Sequence, residues 1–222
     1  MNDKLNEEIY KRIREIAALK LWDIGAIKIN VDEPFRLVSG SYSPIYINCR
    51  QVISDTSFMK LFTAFAHFIC QRSEIKFDVV AGGETAGIPF AASVAQSFSL
   101  PMVYVRKKTK DHGVASLVEG NIKKDSVVLL VEDLITDAGS KIHFIEGIKA
   151  AGGIVTDVIV LFERLQGGRE ELGKIGIKLH SLTDMNEAIS LASVFGQIKP
   201  QDIQSLDEYL RDAEKWCKVR KL

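Results

Sequence analysis

The chain is poor in the features that mark secreted, membrane or metal-binding proteins. It has three cysteines in 222 residues, Cys49, Cys70 and Cys217. They are far apart and odd in number, which fits neither a zinc site nor a disulfide framework; three reduced thiols in a cytoplasmic protein are the expectation. No apolar run approaches the ~20 residues that span a bilayer, and the polar opening M-N-D-K-L-N-E-E-I-Y is no signal peptide. Neither sign of charge dominates, because 29 Lys and Arg face 29 Asp and Glu. No global field therefore draws the protein to nucleic acid or membrane. The four histidines, His67, His112, His143 and His180, lack metal-ligand spacing. No Gly-x-Ser-x-Gly elbow is present. The stretch G-G-E-T-A-G-I-P from Gly82 fails the dinucleotide pattern, and it fails the P-loop because Ile88-Pro89 follows Gly87.

What is present is a core and a rhythm. Hydrophobic residues make up 46% of the chain, enough for a substantial interior. Residues 4–21 read as an amphipathic helix. Short strand-like pieces follow at Ala26–Asn30, Phe35–Val38 and Ile45–Asn48. They lie outside any β-α-β alternation and read as a hood. From Thr56 strands and helices alternate, which implies an α/β fold with a parallel sheet covered on both faces. Strands are expected at 78–81, 102–105, 127–131, 154–162 and 177–182, and helices at 58–71, 88–98, 140–151, 166–175 and 184–194. A single helix is expected at about 200–218. The expected organisation is one domain, 1–222: a hood mainly from 1–55, a core of about 56–195 and the C-terminal helix.

Ligands of such sheets bind at the carboxyl ends of the strands. Four stretches fall there. The first is S-V-V-L-L-V-E-D-L-I-T-D-A-G-S, Ser126 to Ser140. A buried strand, Val127–Val131, is followed by Glu132 and Asp133 and by a small-residue turn. A helix then starts, with Ile142, Ile145 and Ile148 as its apolar stripe. Free N–H groups at the turn and helix start can take a phosphate, and the acids can meet a sugar diol. The second stretch is R-K-K-T-K-D-H-G, Arg106 to Gly113, within a polar connection from Lys107 to Asp125. Its cations suit either a solvated loop or a lid over a polyphosphate. The third is the glycine turn at Gly82. The fourth is Glu163-Arg164, where a guanidinium could grip a carboxylate or a ring carbonyl, or simply form a surface ion pair.

Together these stretches resemble the type I phosphoribosyltransferases, and within them the orotate phosphoribosyltransferases. V-V-L-L-V-E-D-L-I-T-D-A-G-S is similar to the superfamily's motif for phosphoribosyl pyrophosphate. R-K-K-T-K-D-H-G with V-E-G is similar to the orotate enzymes' catalytic loop, and S-G-x-x-S-P-x-Y-x-N to their orotate-side segment. The resemblance, from about Gly25 to Leu182, implies a type I phosphoribosyltransferase fold with an N-terminal hood. It also implies transfer of the phosphoribosyl group to orotate, with Mg²⁺ held mainly by the substrate and no protein metal cluster. As catalytic residues it implies Lys110, Asp133 and Glu132. For phosphoribosyl pyrophosphate it implies Arg106, Lys107, Lys110, His112, Glu132, Asp133, Leu134, Ile135, Thr136, Asp137, Ala138, Gly139 and Ser140. For orotate it implies Thr136, Arg164, Tyr46 and Ile47. It further implies a cytoplasmic homodimer whose loop 106–120 acts across the interface, without nucleic acid or membrane. Another base specificity within the superfamily, or a non-catalytic regulatory relative, is the alternative. Relatives usually have glycine where Ala138 stands here, and many have lysines at the positions of Val38 and Ala86.

Overall fold

The computed structural model describes residues 3–37, 40–108, 117–196 and 198–220. Its elements begin with helix α1 (Asp3–Asp23) and the short strands β1 (Ile27–Ile29), β2 (Phe35–Arg36), β3 (Tyr42–Ser43) and β4 (Ile45–Ile47). A 3-10 segment, Cys49–Ser54, leads into α2 (Thr56–Arg72). Then come β5 (Val79–Gly83), α3 (Gly87–Phe98), β6 (Met102–Val105), β7 (Val118–Glu119), β8 (Val128–Ile135) and α4 (Gly139–Ala150). The chain continues with β9 (Asp157–Glu163), α5 (Gly168–Lys174), β10 (Lys178–Asp184), α6 (Met185–Val194), α7 (Pro200–Arg211) and α8 (Ala213–Val219).

Six strands form the main sheet in the order β10-β9-β8-β5-β6-β7, and all pairs are parallel except β6 with β7. The hood is a pair of small antiparallel ribbons, β1 with β4 and β2 with β3, separate from that sheet. Alternation along each strand splits the interior in two. On β8, Leu129 and Val131 join the larger core, with α1, α2, α3, α6 and the C-terminal helices. Val128 and Leu130 join the smaller core, with Phe144, Ile145 and Ile148 of α4 and Leu172 of α5.

Several expectations shift. Strand β8 runs to Ile135, so Glu132 and Asp133 lie within it; continued pairing of Leu134 and Ile135 with Phe162 and Glu163 of β9 extends it past the acids. The connection 107–125 contains β7, an antiparallel edge strand. The single C-terminal helix is two helices: Asp212 leaves helical geometry at φ −157° and caps α8 by accepting from the Lys215 N–H. The buried face of α4 carries Lys141, Phe144, Ile145 and Ile148, whereas Ile142 is only partly covered. Helix α1 is no loose cap, since Ala17, Ala18 and Leu21 are fully buried in the larger core.

Phe62 of α2 and Phe90 of α3 are both fully buried and meet edge-to-face at 5.2 Å, fastening those helices to each other. Truncating Phe62→Ala should lower the unfolding free energy by roughly 3–5 kcal/mol. Urea unfolding checks this through a lower midpoint with an unchanged slope.

Candidate active site

The carboxyl ends of β5 and β8 and the start of α4 enclose a cavity of about 260 Å³. From β8 and the turn after it come Glu132, Asp133, Leu134, Thr136, Asp137, Ala138 and Ser140. Glu84, Thr85 and Ala86 contribute from the turn after β5, Arg50 from the 3-10 segment, Lys107 from the segment after β6, and Lys141 and Phe144 from α4. The first and third stretches of the sequence thus meet, joined by the described start of the second.

Successive strand residues face opposite ways, and this separates the two acids. Glu132 turns toward α4. It is 3% exposed, its Oε1 accepts from the Gly83 N–H at 2.6 Å, and its Oε2 lies 2.9 Å from Lys141 Nζ. Burial pushes its pKa up, and Lys141 pulls it back only in part. Asp133 turns toward the 3-10 segment that carries Cys49 and Arg50. Burial also raises its pKa, against the pull of Lys141 and then of Arg50. Cys49 lies near it, its thiol pushed well above its ordinary value chiefly by burial and then by the Asp133 charge.

The turn after β8 is closed by Asp137, whose Oδ1 accepts from the Gly139 N–H at 3.0 Å. Ala138 adopts a left-handed conformation, φ 68°, at the start of α4. Such a backbone costs an L-residue about 1–2 kcal/mol. The Ala138 methyl, however, is buried in the smaller core, which returns ~0.8 kcal/mol. The sequence's departure from glycine therefore sits where glycine is easiest, partly offset by packing. The side chain of Ile135 is core, so that residue can meet a ligand only through its backbone.

The segment after β6 is described as far as Lys108. Lys107 donates its N–H to Glu84 Oε2 at 2.9 Å, while the Arg106 guanidinium pairs with Glu119 of β7 at 3.6 Å. Lys110 and His112 lie outside the described residues. Tyr46 is 41% exposed and tilts against Phe35, and Ile47 is in the larger core. Neither lines the cavity with Asp133.

Arg164 overturns the surface-pair alternative. It follows β9, is 8% exposed, and has no hydrogen-bond partner for Nε and Nη2. Burial lowers its pKa, opposed by the adjacent Tyr209 and Cys49. Its sequence neighbour Glu163 is satisfied instead by Arg169 at 2.5 and 3.0 Å and by the Ser181 hydroxyl at 3.0 Å. A second cavity, about 540 Å³, lies between Thr136 and Gln166 on one side and Tyr42, Tyr209 and Cys217 on others. Sequence reasoning missed Lys141, Arg50 and Tyr209. Lys141 had a signal: it stands three, four and seven residues before Phe144, Ile145 and Ile148, at the head of the buried stripe. Among the described residues no three His, Cys, Asp or Glu side chains converge as a metal site, and no helix is long and apolar enough to cross a membrane.

Residues 54–192 match the family model described as a phosphoribosyl transferase domain. The orotate phosphoribosyltransferase of Sinorhizobium medicae is 39% identical over 206 residues, covering 91% of this chain and 89% of that one. The enzyme of the same name from Ruegeria sp. is 38% identical and covers 95% of each. Among solved structures, orotate phosphoribosyltransferase from Aeropyrum pernix aligns with TM-score 0.71 at 30% identity, over 82% of this chain and 99% of that one. Leishmania donovani UMP synthase aligns with TM-score 0.76 at 26% identity, over 88% of this chain and 42% of that longer one.

A buried guanidinium with unmet donors is a net cost to the free protein. Replacing Arg164 by Met, of similar length, should raise the unfolding free energy by about 1–3 kcal/mol. Denaturant titration of both proteins without ligand measures it, and a destabilised Arg164→Met would mean that the guanidinium has partners in the free protein.

Proposed function

The chain belongs to the orotate phosphoribosyltransferases, and on that premise we propose that it transfers the phosphoribosyl group of phosphoribosyl pyrophosphate to orotate. The products are orotidine 5′-phosphate and pyrophosphate, in pyrimidine biosynthesis. One observation carries the reading in this chain: Asp133, the 136–140 turn and the cations Arg50 and Lys107 border one cavity, while Arg164 stands buried at the next strand end with Nε and Nη2 unmet.

Thr136 to Ser140 receive the 5′-phosphate, which takes the place of the Asp137 carboxylate on the Gly139 N–H. Asp133, with Glu132 beneath it, meets the ribose hydroxyls. Leu134 and Ile135 lie along the sugar-phosphate, Ile135 through its backbone. As the bond to pyrophosphate lengthens, positive charge grows on the ribose carbon and negative charge on the leaving group. Acids on one side and Lys107, Arg106, Lys110 and His112 on the other stabilise that separation. The substrate is the magnesium complex of phosphoribosyl pyrophosphate. Mg²⁺ would be held mainly by the substrate's phosphate and hydroxyl oxygens and by water, the ligands it prefers, and would supply neutralising charge for the pyrophosphate.

Arg164 offers the unmet donors Nε and Nη2 to the orotate carboxylate or carbonyl, with Thr136 nearby and Tyr46 and Ile47 contributed by the hood. We read residues 1–222 as one domain and the active form as a homodimer in which the 106–120 loop serves the neighbouring site. The free thiols of Cys49, Cys70 and Cys217 suit the reducing cytoplasm.

Incubation with Mg²⁺, phosphoribosyl pyrophosphate and orotate should consume orotate absorbance; turnover of uracil or a purine in its place would overturn the assignment. Lys110→Ala should lower turnover about 10²–10³-fold, the loss expected for one transition-state donor. Mixing Lys110→Ala with Asp133→Asn protein should restore part of the rate through hybrid dimers, and no recovery would oppose a loop acting across the interface.

A further inference from the structure

We propose that Lys141 is a positioning residue: its buried ammonium holds Glu132 as a charged bracket between the turn after β5 and the start of α4, leaving Asp133 as the acid that faces the sugar. The proposal rests on the reading of this cavity as the site of phosphoribosyl pyrophosphate.

Both oxygens of Glu132 are engaged inward. One takes the Gly83 N–H at 2.6 Å and the other takes Lys141 Nζ at 2.9 Å, with Glu132 3% and Lys141 7% exposed. The space around the carboxylate is shaped for it. A Cβ on Gly87 would stand 1.9 Å from Glu132 Oε1, and one on Gly83 would stand 2.6 Å away. Lys141 also reaches the Ser140 hydroxyl at 3.4 Å. A continuous line of contacts therefore runs from the glycine turn through Glu132 and Lys141 to the phosphate-binding turn. Both turns border the cavity, so this line of contacts fixes their spacing there.

A lone buried carboxylate does not stay charged, because desolvation favours the neutral form. The groups acting on Glu132 are Lys141 from α4, the Gly83 N–H from β5, and Asp133 beside it on β8, whose charge opposes ionisation. Lys141 also acts on Asp133, followed there by Arg50, which does not act on Glu132; Glu84, Lys107 and Asp137 border the same cavity. Lys141 is the cation among the groups that act on Glu132. Without it the carboxyl takes up a proton, and the bracket loses its charge-assisted bonds.

The test compares Lys141→Met, Glu132→Gln and the double variant. In ligand-free Lys141→Met, Glu132 has a folded-state pKa further above its unfolded value. Stability is then present at low pH and lost as pH rises through that folded value. Its melting temperature should fall more steeply than the parent's as pH rises above the ordinary carboxylate range, and the double variant, in which only Asp133 feels the loss of the Lys141 charge, should fall less than Lys141→Met. In turnover, Lys141→Met should raise the KM for phosphoribosyl pyrophosphate about tenfold or more, with the orotate KM within about twofold. The double variant should do no worse than Glu132→Gln alone. Effects of the two substitutions that multiply would place Lys141 directly on substrate phosphate and overturn the proposal, as would a Lys141→Met melting profile that parallels the parent. If Lys141→Met does not fold, the double variant still must; an unfolded double variant refutes the pairing. The melting experiment needs no substrate, so it holds or fails independently of the orotate assignment.

Discussion

Everything at this site depends on a property of extended backbone: neighbouring side chains point to opposite faces. At the end of β8 that geometry sends Glu132 into the space between β5 and α4 and Asp133 toward the 3-10 segment that carries Cys49 and Arg50. The two adjacent carboxylates border one cavity and share Lys141, but from different sides of the strand. The first becomes part of the frame and the second remains available at the cavity. The turn that follows inherits its position from both, since Thr136 begins where the β8–β9 pairing stops.

Buried charge is distributed by the same logic across two strand ends. Glu132 has Lys141 as a partner, and Glu163 has Arg169 and Ser181. These pairs are closed, so their desolvation is offset within the protein. Arg164 is the open case, buried beside Tyr209 with two donors unmet. Leaving Nε and Nη2 unmet costs the free protein stability, a cost that any ligand accepting from them would relieve.

The strand-helix alternation from Thr56 onward was legible because buried parallel strands are short apolar runs and their helices carry a longer period. The glycine turn, the acids and the phosphate turn were legible as strand-end chemistry. What escaped the sequence was mostly long-range pairing. Nothing local says that β8 continues past two acids, because β9, about thirty residues later, supplies the partner groups. The cationic run concealed β7, a two-residue strand that exists only by pairing with β6. Lys141 was readable in principle from its place at the head of the buried stripe of α4, but a lysine among isoleucines invites the assumption of exposure. Arg50 and Tyr209 reach the site from a 3-10 turn and from α7, which no spacing rule connects to β8. The left-handed backbone of Ala138 was not anticipated; the resemblance marked the position only as one where relatives carry glycine.

The second cavity has a wall of a different origin. Thr136 and Gln166 lie within the stretch shared with the phosphoribosyl transferase family, 54–192, whereas Tyr209, Ala213, Cys217 and Lys218 come from the two helices beyond it. Tyr209 is held there by Trp216, edge-on at 5.4 Å, and Trp216 by Ser205 and Arg220. An inhibitor anchored on Thr136 and extended toward Tyr209 and Cys217 would reach surface beyond the stretch matched by the family model. Its selectivity would come from the C-terminal helices, and the partly covered Cys217 thiol offers such a compound a covalent handle.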